Sequence, residues 1–158
     1  MIFVNSTFMN PGMLYLQQNA LHLGVELNEK QLALFDVYQK ELLKWNEKTN
    51  LISEKTTGDI VNRHFLDSLT AAGFITSPNA RIVDIGSGAG FPGIPLKIFL
   101  PSIKLHLLES NRKKVSFLKQ VIRLLKLENT FIIHDRTENI TRMDAWREKF
   151  EIVISRAA

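Results

Sequence analysis

The sequence predicts an α/β fold with a parallel sheet, preceded by a helical segment. The first observation behind this prediction is a short apolar run over residues 82–85, followed by a glycine-rich loop and by apolar residues that resume at Ile94. The second is that short apolar runs then alternate with amphipathic stretches of helical period. Such alternation is typical of parallel strands joined by right-handed helical crossovers.

The loop after the first strand has the form of a nucleotide-binding turn. It carries Gly86, Gly88 and Gly90 in alternation. Glycine permits a positive φ, and its missing Cβ lets a ligand approach the backbone closely. Pro92 and Pro95 fit the first turn of a helix, where backbone N–H groups have no helical partner. Glycine-rich turns also occur as plain structural corners, so the loop alone leaves both interpretations open.

An acid at the end of the second strand favours the nucleotide interpretation. Glu109 ends the apolar run that begins at Ile103, and it lies 19 residues after Gly90. At this place in a nucleotide-binding α/β sheet, an acid accepts hydrogen bonds from ribose hydroxyls. An exposed strand-end carboxylate is the alternative, but the joint spacing favours an adenosine-type ligand.

The full pattern predicts four strands and three helices after the linker at 77–79. The strands are expected over 81–85, 103–109, 130–134 and 151–155, and the helices over about 92–100, 112–126 and 141–149. Ligands bind outside the carboxyl ends of the strands in this class of sheet. Four stretches should therefore form the rim of the site: Gly86 to Phe91, Glu109-Ser110, Asp135 to Glu138, and Ser155-Arg156.

The helix predicted over 112–126 carries apolar residues at steps of three and four, and cations on the rest of its surface. The apolar set is Val115, Leu118, Ile122 and Leu125; the cations are Arg112, Lys113, Lys114, Lys119, Arg123 and Lys126. The cations form either a solvated helix face or, at Arg112 to Lys114, a contact with nucleic-acid phosphates.

The first 78 residues read as helices only, so we expect a helical segment over 1–78 and an α/β core over 79–158. Residues 1–13 carry no clear pattern; helices are predicted from Leu14 to Leu23, from about Asn28 to Trp45, and from Thr57 to Ala72. The second helix has an apolar stripe of Phe35, Tyr38, Leu42 and Trp45, interpreted as core. The third buries Val61, Phe65, Leu69 and Ala72, with Arg63, His64, Asp67 and Ser68 on its outer face.

Composition narrows the function classes. The chain has 158 residues with 45% hydrophobic residues, no cysteine, and a formal net charge of +4. A disulfide framework, a thiolate metal site and a cysteine nucleophile are excluded, and we expect no metal site. No signal-peptide pattern or apolar run long enough to cross a membrane is visible, so a cytoplasmic protein without a membrane partner is expected. The positive charge is compatible with a polyanionic partner.

Several motifs together make the chain resemble the RsmG (GidB) family. They are Trp45-Asn46 with Asn50-Leu51, the run 63–68 (Arg-His-Phe-Leu-Asp-Ser), the run 84–96 that contains Phe91-Pro92-Gly93, and Ser155-Arg156-Ala157. Members of this family are bacterial methyltransferases that act on a guanine N7 of small-subunit (16S) ribosomal RNA and use S-adenosyl-L-methionine. The resemblance implies a Rossmann-like methyltransferase sheet and covers about Leu14 to Ala157.

The resemblance also implies roles for particular residues. It assigns cofactor contacts to Gly86, Gly88, Gly90 and Phe91, ribose contacts to Glu109 and Ser110, and adenine contacts to Thr137 and Glu138. Arg156 is implied beside the methyl donor and the RNA entry, as the residue that positions substrate or donor for catalysis. His64, Asp67 and Asn46 are expected to support the pocket. The chain has Lys113-Lys114 where the family tends to have Lys-Arg, and lysine lacks the planar bidentate fork of arginine.

The expected activity is in-line methyl transfer to guanine N7 without a general base, on 16S ribosomal RNA or a small-subunit particle. Members of the family continue beyond the fourth strand, so we expect a truncated chain with strands one to four of a longer sheet. Two alternatives stay open at this point. One is a non-catalytic cofactor- or RNA-binding fragment; the other is a dinucleotide-binding oxidoreductase, because Gly88-x-Gly90-x-x-Gly93 also fits the dinucleotide fingerprint.

Overall fold

A computed structural model of the chain describes residues 10–53, 56–142, 146 and 149–156. Its centre is a four-stranded parallel sheet in the order β3-β2-β1-β4. The strands are β1 (Arg81–Ile85), β2 (Lys104–Leu108), β3 (Thr130–Ile133) and β4 (Ile152–Ser155). The predicted fold class is confirmed, and all four strands lie within a residue or two of their predicted bounds.

The helices between the strands are α5 (Gly93–Phe99), α6 (Arg112–Leu124) and α7 (Thr137–Thr141). The first two agree with the prediction, with Pro92 at the N-cap of α5. The helix predicted over 141–149 stays a prediction, since residues 143–145 and 147–148 lie outside the described part; helix α7 starts earlier, at Thr137. The Asp135 carboxylate explains the early start, since it accepts hydrogen bonds from the Arg136 N–H at 2.7 Å and from Asn139 Nδ2 at 2.7 Å.

The chain begins its described part with α1 (Pro11–His22) and α2 (Glu29–Thr49). Helix α1 starts three residues before the predicted Leu14, because the Asn10 side chain accepts from the Gly12 N–H at 2.9 Å and Pro11 occupies the first turn. Residues 11–13 are therefore helical rather than unpatterned, and residues 1–9 lie outside the described part. Helix α2 starts where predicted, at a capping box formed by Asn28 and Gln31.

The third predicted helix is a continuous helical stretch of mixed type. It consists of α3 (Thr57–Ile60), a π-helix (Val61–Leu66), α4 (Asp67–Leu69) and a 3₁₀-helix (Thr70–Phe74). The predicted buried face is confirmed at Val61, Phe65, Leu69 and Ala72. The predicted outer face is wrong at two positions, because His64 and Ser68 are also buried. The i→i+5 bonding of a π-helix changes the angular spacing of its side chains, so the 3.6-residue period does not predict which of them are buried.

One hydrophobic cluster extends from the helices of the N-terminal segment into the sheet and α6. Aromatic rings join the two parts: the Tyr38 ring lies 5.4 Å from Phe65 and 5.5 Å from Phe91, centroid to centroid. Helix α6 contributes Phe117, fully buried, 5.6 Å from the Trp45 ring. The division near residue 78 stays a prediction about chain organisation. None of the described helices is both long and apolar enough to span a membrane.

Candidate active site

The loop between β1 and α5 has a backbone that requires glycine. Gly86, Gly88 and Gly90 have φ values of +68°, +59° and +98°. The loop is held by hydrogen bonds within the protein: the N–H groups of Gly86 and Ser87 donate to the Leu108 carbonyl, and those of Gly90 and Phe91 donate to the Ser87 carbonyl. A Cβ on Gly86 would meet no atom within 4 Å. Hydrogen bonds within the protein thus hold the loop in place, while the space around Gly86 is open.

Glu109 supports this loop from the end of β2. Its Oε2 accepts from the Gly88 N–H at 2.8 Å, and its Oε1 accepts from the Asn111 N–H at 2.8 Å. The side chain is buried. Each carboxylate oxygen has a second lone pair, so both can also accept a hydroxyl hydrogen. Glu109 therefore fixes the glycine loop and keeps free lone pairs on both carboxylate oxygens.

A groove of about 360 Å³ opens at the carboxyl ends of the strands. Its lining consists of Gly86, Leu108, Glu109, Ser110, Asp135, Arg136, Thr137 and Glu138. Five of the residues that the resemblance assigns to cofactor, ribose or adenine contacts, from three separate stretches of chain, thus line one cavity. Gly88, Gly90 and Phe91 are not among the lining residues of this groove; Gly90 and Phe91 are buried.

Arg156 lies on the other side of the loop, just beyond β4, where Ser155 pairs with Ile85. Its guanidinium carbon is 5.0 Å from the centre of the Phe91 ring. Its nitrogens bind the π-helix and α4: Nη1 donates to the Arg63 carbonyl at 2.9 Å and to Asp67 Oδ2 at 3.3 Å, and Nη2 lies 2.6 Å from His64 Nδ1. The fold thus brings Arg156 into contact with His64 and Asp67, two of the residues expected to support the pocket.

His64 is buried against the glycine loop rather than exposed on the protein surface. Its ring stacks on Phe91, with centroids 4.5 Å apart and an interplanar angle of 20°. The third predicted supporting residue, Asn46, fixes the turn after α2, because its Oδ1 accepts from the Ile52 N–H at 3.0 Å. The helical segment therefore contacts the glycine loop and Arg156 directly.

Asp84 is a buried carboxyl group beneath the loop, fully inaccessible to solvent. Its Oδ2 accepts from the Gly93 N–H at 2.9 Å, while Oδ1 has no hydrogen-bond partner among the described residues. Burial raises the pKa of Asp84 to about 8, against the lowering effects of the Gly93 N–H and of Arg156. Glu109 adds a smaller raising effect. The carboxyl group is thus protonated in much of the neutral range.

Tyr38 is a contact of the site that the sequence pattern does not reveal. The prediction places it in the core, and it is fully buried there. Its hydroxyl also donates to the Ala89 carbonyl of the glycine loop at 2.6 Å. The spacing of a tyrosine in an apolar stripe is the same whichever acceptor its hydroxyl finds. The sequence pattern therefore does not predict the hydrogen bond to Ala89.

The cations of α6 lie on its outer surface as predicted. Arg112, Lys113, Lys119, Arg123 and Lys126 are exposed and Lys114 is half-buried. The Asn111 side chain caps the helix by accepting from the N–H groups of Lys113 and Lys114. Because Asn111 is also bound to Glu109, the first three cations begin directly beside the groove.

A solved structure supports the fold. Coclaurine N-methyltransferase, determined with N-methylheliamine and SAH, superimposes over 90% of this chain and 50% of its own, with a TM-score of 0.50 and 13% sequence identity. At that identity the likeness concerns the fold alone.

Sequence relatives identify the family. "Ribosomal RNA small subunit methyltransferase G" of Syntrophus aciditrophicus is 48% identical over 143 residues, 90% of this chain and 59% of that protein. The protein of the same name from Desulforamulus reducens is 41% identical over 150 residues, 94% of this chain and 62% of that protein. The chain thus spans about three fifths of the length of these relatives. The family model for GidB, rRNA small subunit methyltransferase G, matches residues 31–158, and the chain belongs to that family.

Proposed function

We propose that the chain carries the cofactor site of an S-adenosyl-L-methionine-dependent methyltransferase that modifies guanine N7 of 16S ribosomal RNA in the cytoplasm. The observation that carries the proposal is the groove of about 360 Å³ in which Gly86, Glu109 and Thr137 meet. The groove lies outside the carboxyl ends of the parallel strands, where nucleotide ligands bind in this class of fold. The names of the relatives support ribosomal RNA as the substrate.

The residues present fit this cofactor. Glu109 offers acceptor lone pairs to ribose hydroxyls, with Ser110 beside it. Thr137 and Glu138 begin α7 across the groove and would flank the adenine. The open backbone at Gly86 allows close approach of the ligand, and Gly88, Gly90 and Phe91 form the support behind it.

The chemistry asks for positioning rather than for acid–base catalysis. The cofactor supplies an electrophilic methyl group on a positively charged sulfur. Guanine N7 has a free lone pair and no proton to lose, so no side chain has to act as a general base. The protein has to hold acceptor and donor in line, which is a large source of rate enhancement for a displacement. Arg156 is the positioning residue in this proposal, and His64, Asp67 and the Arg63 carbonyl orient its guanidinium group.

The RNA would approach along the start of α6. Arg112, Lys113 and Lys114 lie beside the groove and offer positive charge to phosphates. Lysines at two of these positions bind phosphate as point charges, without the bidentate geometry of arginine. This part of the surface would therefore position RNA without reading its sequence.

Methyl incorporation into small-subunit RNA tests the proposal. With isotope-labelled cofactor and either naked 16S RNA or assembled particles, we expect label at N7 of a guanine. Arg156→Ala should lower the rate on the order of 100-fold with little change in fold, because it removes positioning only. Arg81→Ala is the matched control, since Arg81 is exposed at the start of β1, at the amino ends of the strands and away from the groove. Wild-type rates in Arg156→Ala would contradict its assigned role.

Calorimetry separates the remaining alternatives. Binding of S-adenosyl-L-methionine without transfer would favour a non-catalytic cofactor-binding fragment, a reading that the chain's three-fifths span of its relatives keeps open. Binding of NAD instead would favour the dinucleotide alternative.

A further inference from the structure

We propose that Tyr38 is a positioning residue for the cofactor loop, acting from the helical segment through the Ala89–Gly90 peptide group. This inference rests on the proposed function, because it assigns a cofactor to that loop. Tyr38 lies on α2, 51 positions before Ala89 along the chain. It is fully buried and is not among the residues that line the groove.

The peptide group between Ala89 and Gly90 is fixed at both ends. The Tyr38 hydroxyl donates to the Ala89 carbonyl at 2.6 Å, and the Gly90 N–H donates to the Ser87 carbonyl at 2.7 Å. A peptide plane that is bonded on both sides cannot rotate without breaking one of the bonds. Gly90 has a φ of +98°, one of several regions open to glycine, and the two hydrogen bonds select this one.

The Tyr38 hydroxyl itself is held in place by close packing. The ring is fully buried and packs with Phe65, Phe91 and Phe117, at centroid distances of 5.4, 5.5 and 6.4 Å. A Cβ on Gly90 would lie 2.8 Å from the hydroxyl oxygen, so no space separates the two groups. Burial raises the pKa of Tyr38 well above its ordinary value, and the hydroxyl therefore stays a hydrogen donor throughout the neutral range.

A second contact fixes the register of α2 on the sheet. Gln31 Nε2, seven residues before Tyr38, donates to the carbonyls of Ile98 and Phe99 at 3.2 and 3.0 Å. Helix α2 is thus bonded to the last turn of α5 by Gln31 and to the loop before α5 by Tyr38. These two attachments fix the position of the Tyr38 hydroxyl on the sheet. The hydroxyl in turn fixes the position of the Ala89 carbonyl.

Tyr38→Phe tests the inference, because it keeps the ring and removes only the hydroxyl. Tyr15→Phe is the matched control: the chain has two tyrosines, and Tyr15 is exposed on α1. S-adenosylhomocysteine is the probe, titrated by calorimetry well below the melting temperature. We expect its dissociation constant to rise roughly tenfold in Tyr38→Phe, as for the loss of one buried hydrogen bond, and to stay unchanged in Tyr15→Phe.

Amide hydrogen exchange without ligand gives a second readout, which distinguishes local loosening of the loop from a general loss of stability. In Tyr38→Phe the amides of Gly90 and Phe91 should exchange faster by a larger factor than those of β2, which report on global opening. Equal factors for loop and β2, or an unchanged dissociation constant, would overturn the inference. If the wild-type chain does not bind the probe, the proposed function fails, and the exchange factors alone decide whether Tyr38 fixes the loop.

Discussion

Single residues around the glycine loop are constrained by neighbours from outside the sheet. Gly90 shows this most clearly, because a Cβ there would lie 2.5 Å from Ile94 Cδ1 and 2.8 Å from the Tyr38 hydroxyl. Gly93 is equally confined, but by the sheet itself, since a Cβ there would lie 2.8 Å from Oδ2 of Asp84 in β1. The need for glycine at these positions thus comes from packing as well as from backbone conformation.

Gly90→Ala should therefore lower the free energy of unfolding by roughly 2–4 kcal/mol, since the strained φ and the overpacking act together. Urea unfolding measures the change. Gly73→Ala is the control, because a Cβ at Gly73 meets nothing within 4 Å and its φ is not positive; its effect should stay within about 0.5 kcal/mol. Equal effects at the two positions would contradict the packing argument.

Asp84 predicts a pH dependence of stability. The pKa is about 8 in the folded chain against an ordinary value of 3.8, so between these values the folded chain retains a proton that the unfolded chain releases. The free energy of unfolding should then fall as the pH rises from 3.8 to about 8 and level off above. Asp84→Asn should make this fall shallower, measured by urea unfolding from pH 5 to 8.5.

Glu26→Gln provides the comparison for this experiment, because Glu26 is an exposed carboxylate between α1 and α2. It should leave the pH profile of the wild-type chain unchanged. A steep profile that persists in Asp84→Asn would place the titrating group elsewhere in the molecule.

Individual elements of the fold serve two surfaces at once. Helix α6 packs Leu118 and Val121 in the main core and presents Phe117 to Trp45 of α2, while its cations face solvent. The π-helix likewise buries Val61 and Phe65 and offers the Arg63 carbonyl to Arg156. Irregular helices of this kind are frequent at functional sites.

The charge at the start of α6 should act on RNA affinity at the level of the element. Lys113→Glu is expected to weaken binding of 16S RNA and to make its dependence on salt shallower, because a phosphate contact that releases a counterion is lost. Filter binding across a salt series measures both. Lys30→Glu is the control: Lys30 is exposed beside Gln31, which contacts the far end of α5. Identical salt slopes for the two variants would contradict the proposed RNA path.

Sequence periodicity predicts the strands and the apolar face of each long helix correctly, because apolar residues recur wherever one face of an element is buried. It was insufficient where winding changes. Regular helical spacing places His64 and Ser68 on an outer face, whereas both are buried where the π-helix passes into α4. The start of α7 depends on one carboxylate, Asp135, whose local hydrogen bonds leave no periodic trace.

The candidate site was predictable to a similar degree. The groove residues follow from the rule that ligands bind at the carboxyl ends of parallel strands, and Gly86, Glu109 and Thr137 do meet there. The contacts from the helical segment follow from no such rule. Tyr38 reaches Ala89 across 51 positions of sequence, and only the packing of α2 on α5 brings them together.

At the scale of the whole molecule, the helical segment and the sheet share one core. Their joint cluster includes Phe35 and Phe65 from the first part and Leu105 and Phe117 from the second. Removing either part would expose the buried surface of the other. Neither part is therefore expected to unfold alone.

Coincident unfolding transitions would confirm this cooperativity. Trp146→Phe leaves Trp45 as the only tryptophan, and Trp45 lies where α2 meets α6. Its fluorescence and the far-ultraviolet circular dichroism should give the same urea midpoint, as for a two-state transition. The dichroism of the wild-type chain serves as reference for any effect of the substitution itself. An earlier fluorescence midpoint would show that the helical segment separates first.

The hydrogen bonds behind the glycine loop have a thermodynamic consequence for any ligand of the groove. The N–H groups of Gly86, Ser87, Gly88, Gly90 and Phe91 all have acceptors within the protein. A ligand that enters the groove therefore meets a backbone whose conformational entropy was already lost on folding, and its affinity carries little cost of ordering. The heat capacity change of binding should accordingly reflect the apolar area that the ligand covers, without a contribution from coupled folding of the loop.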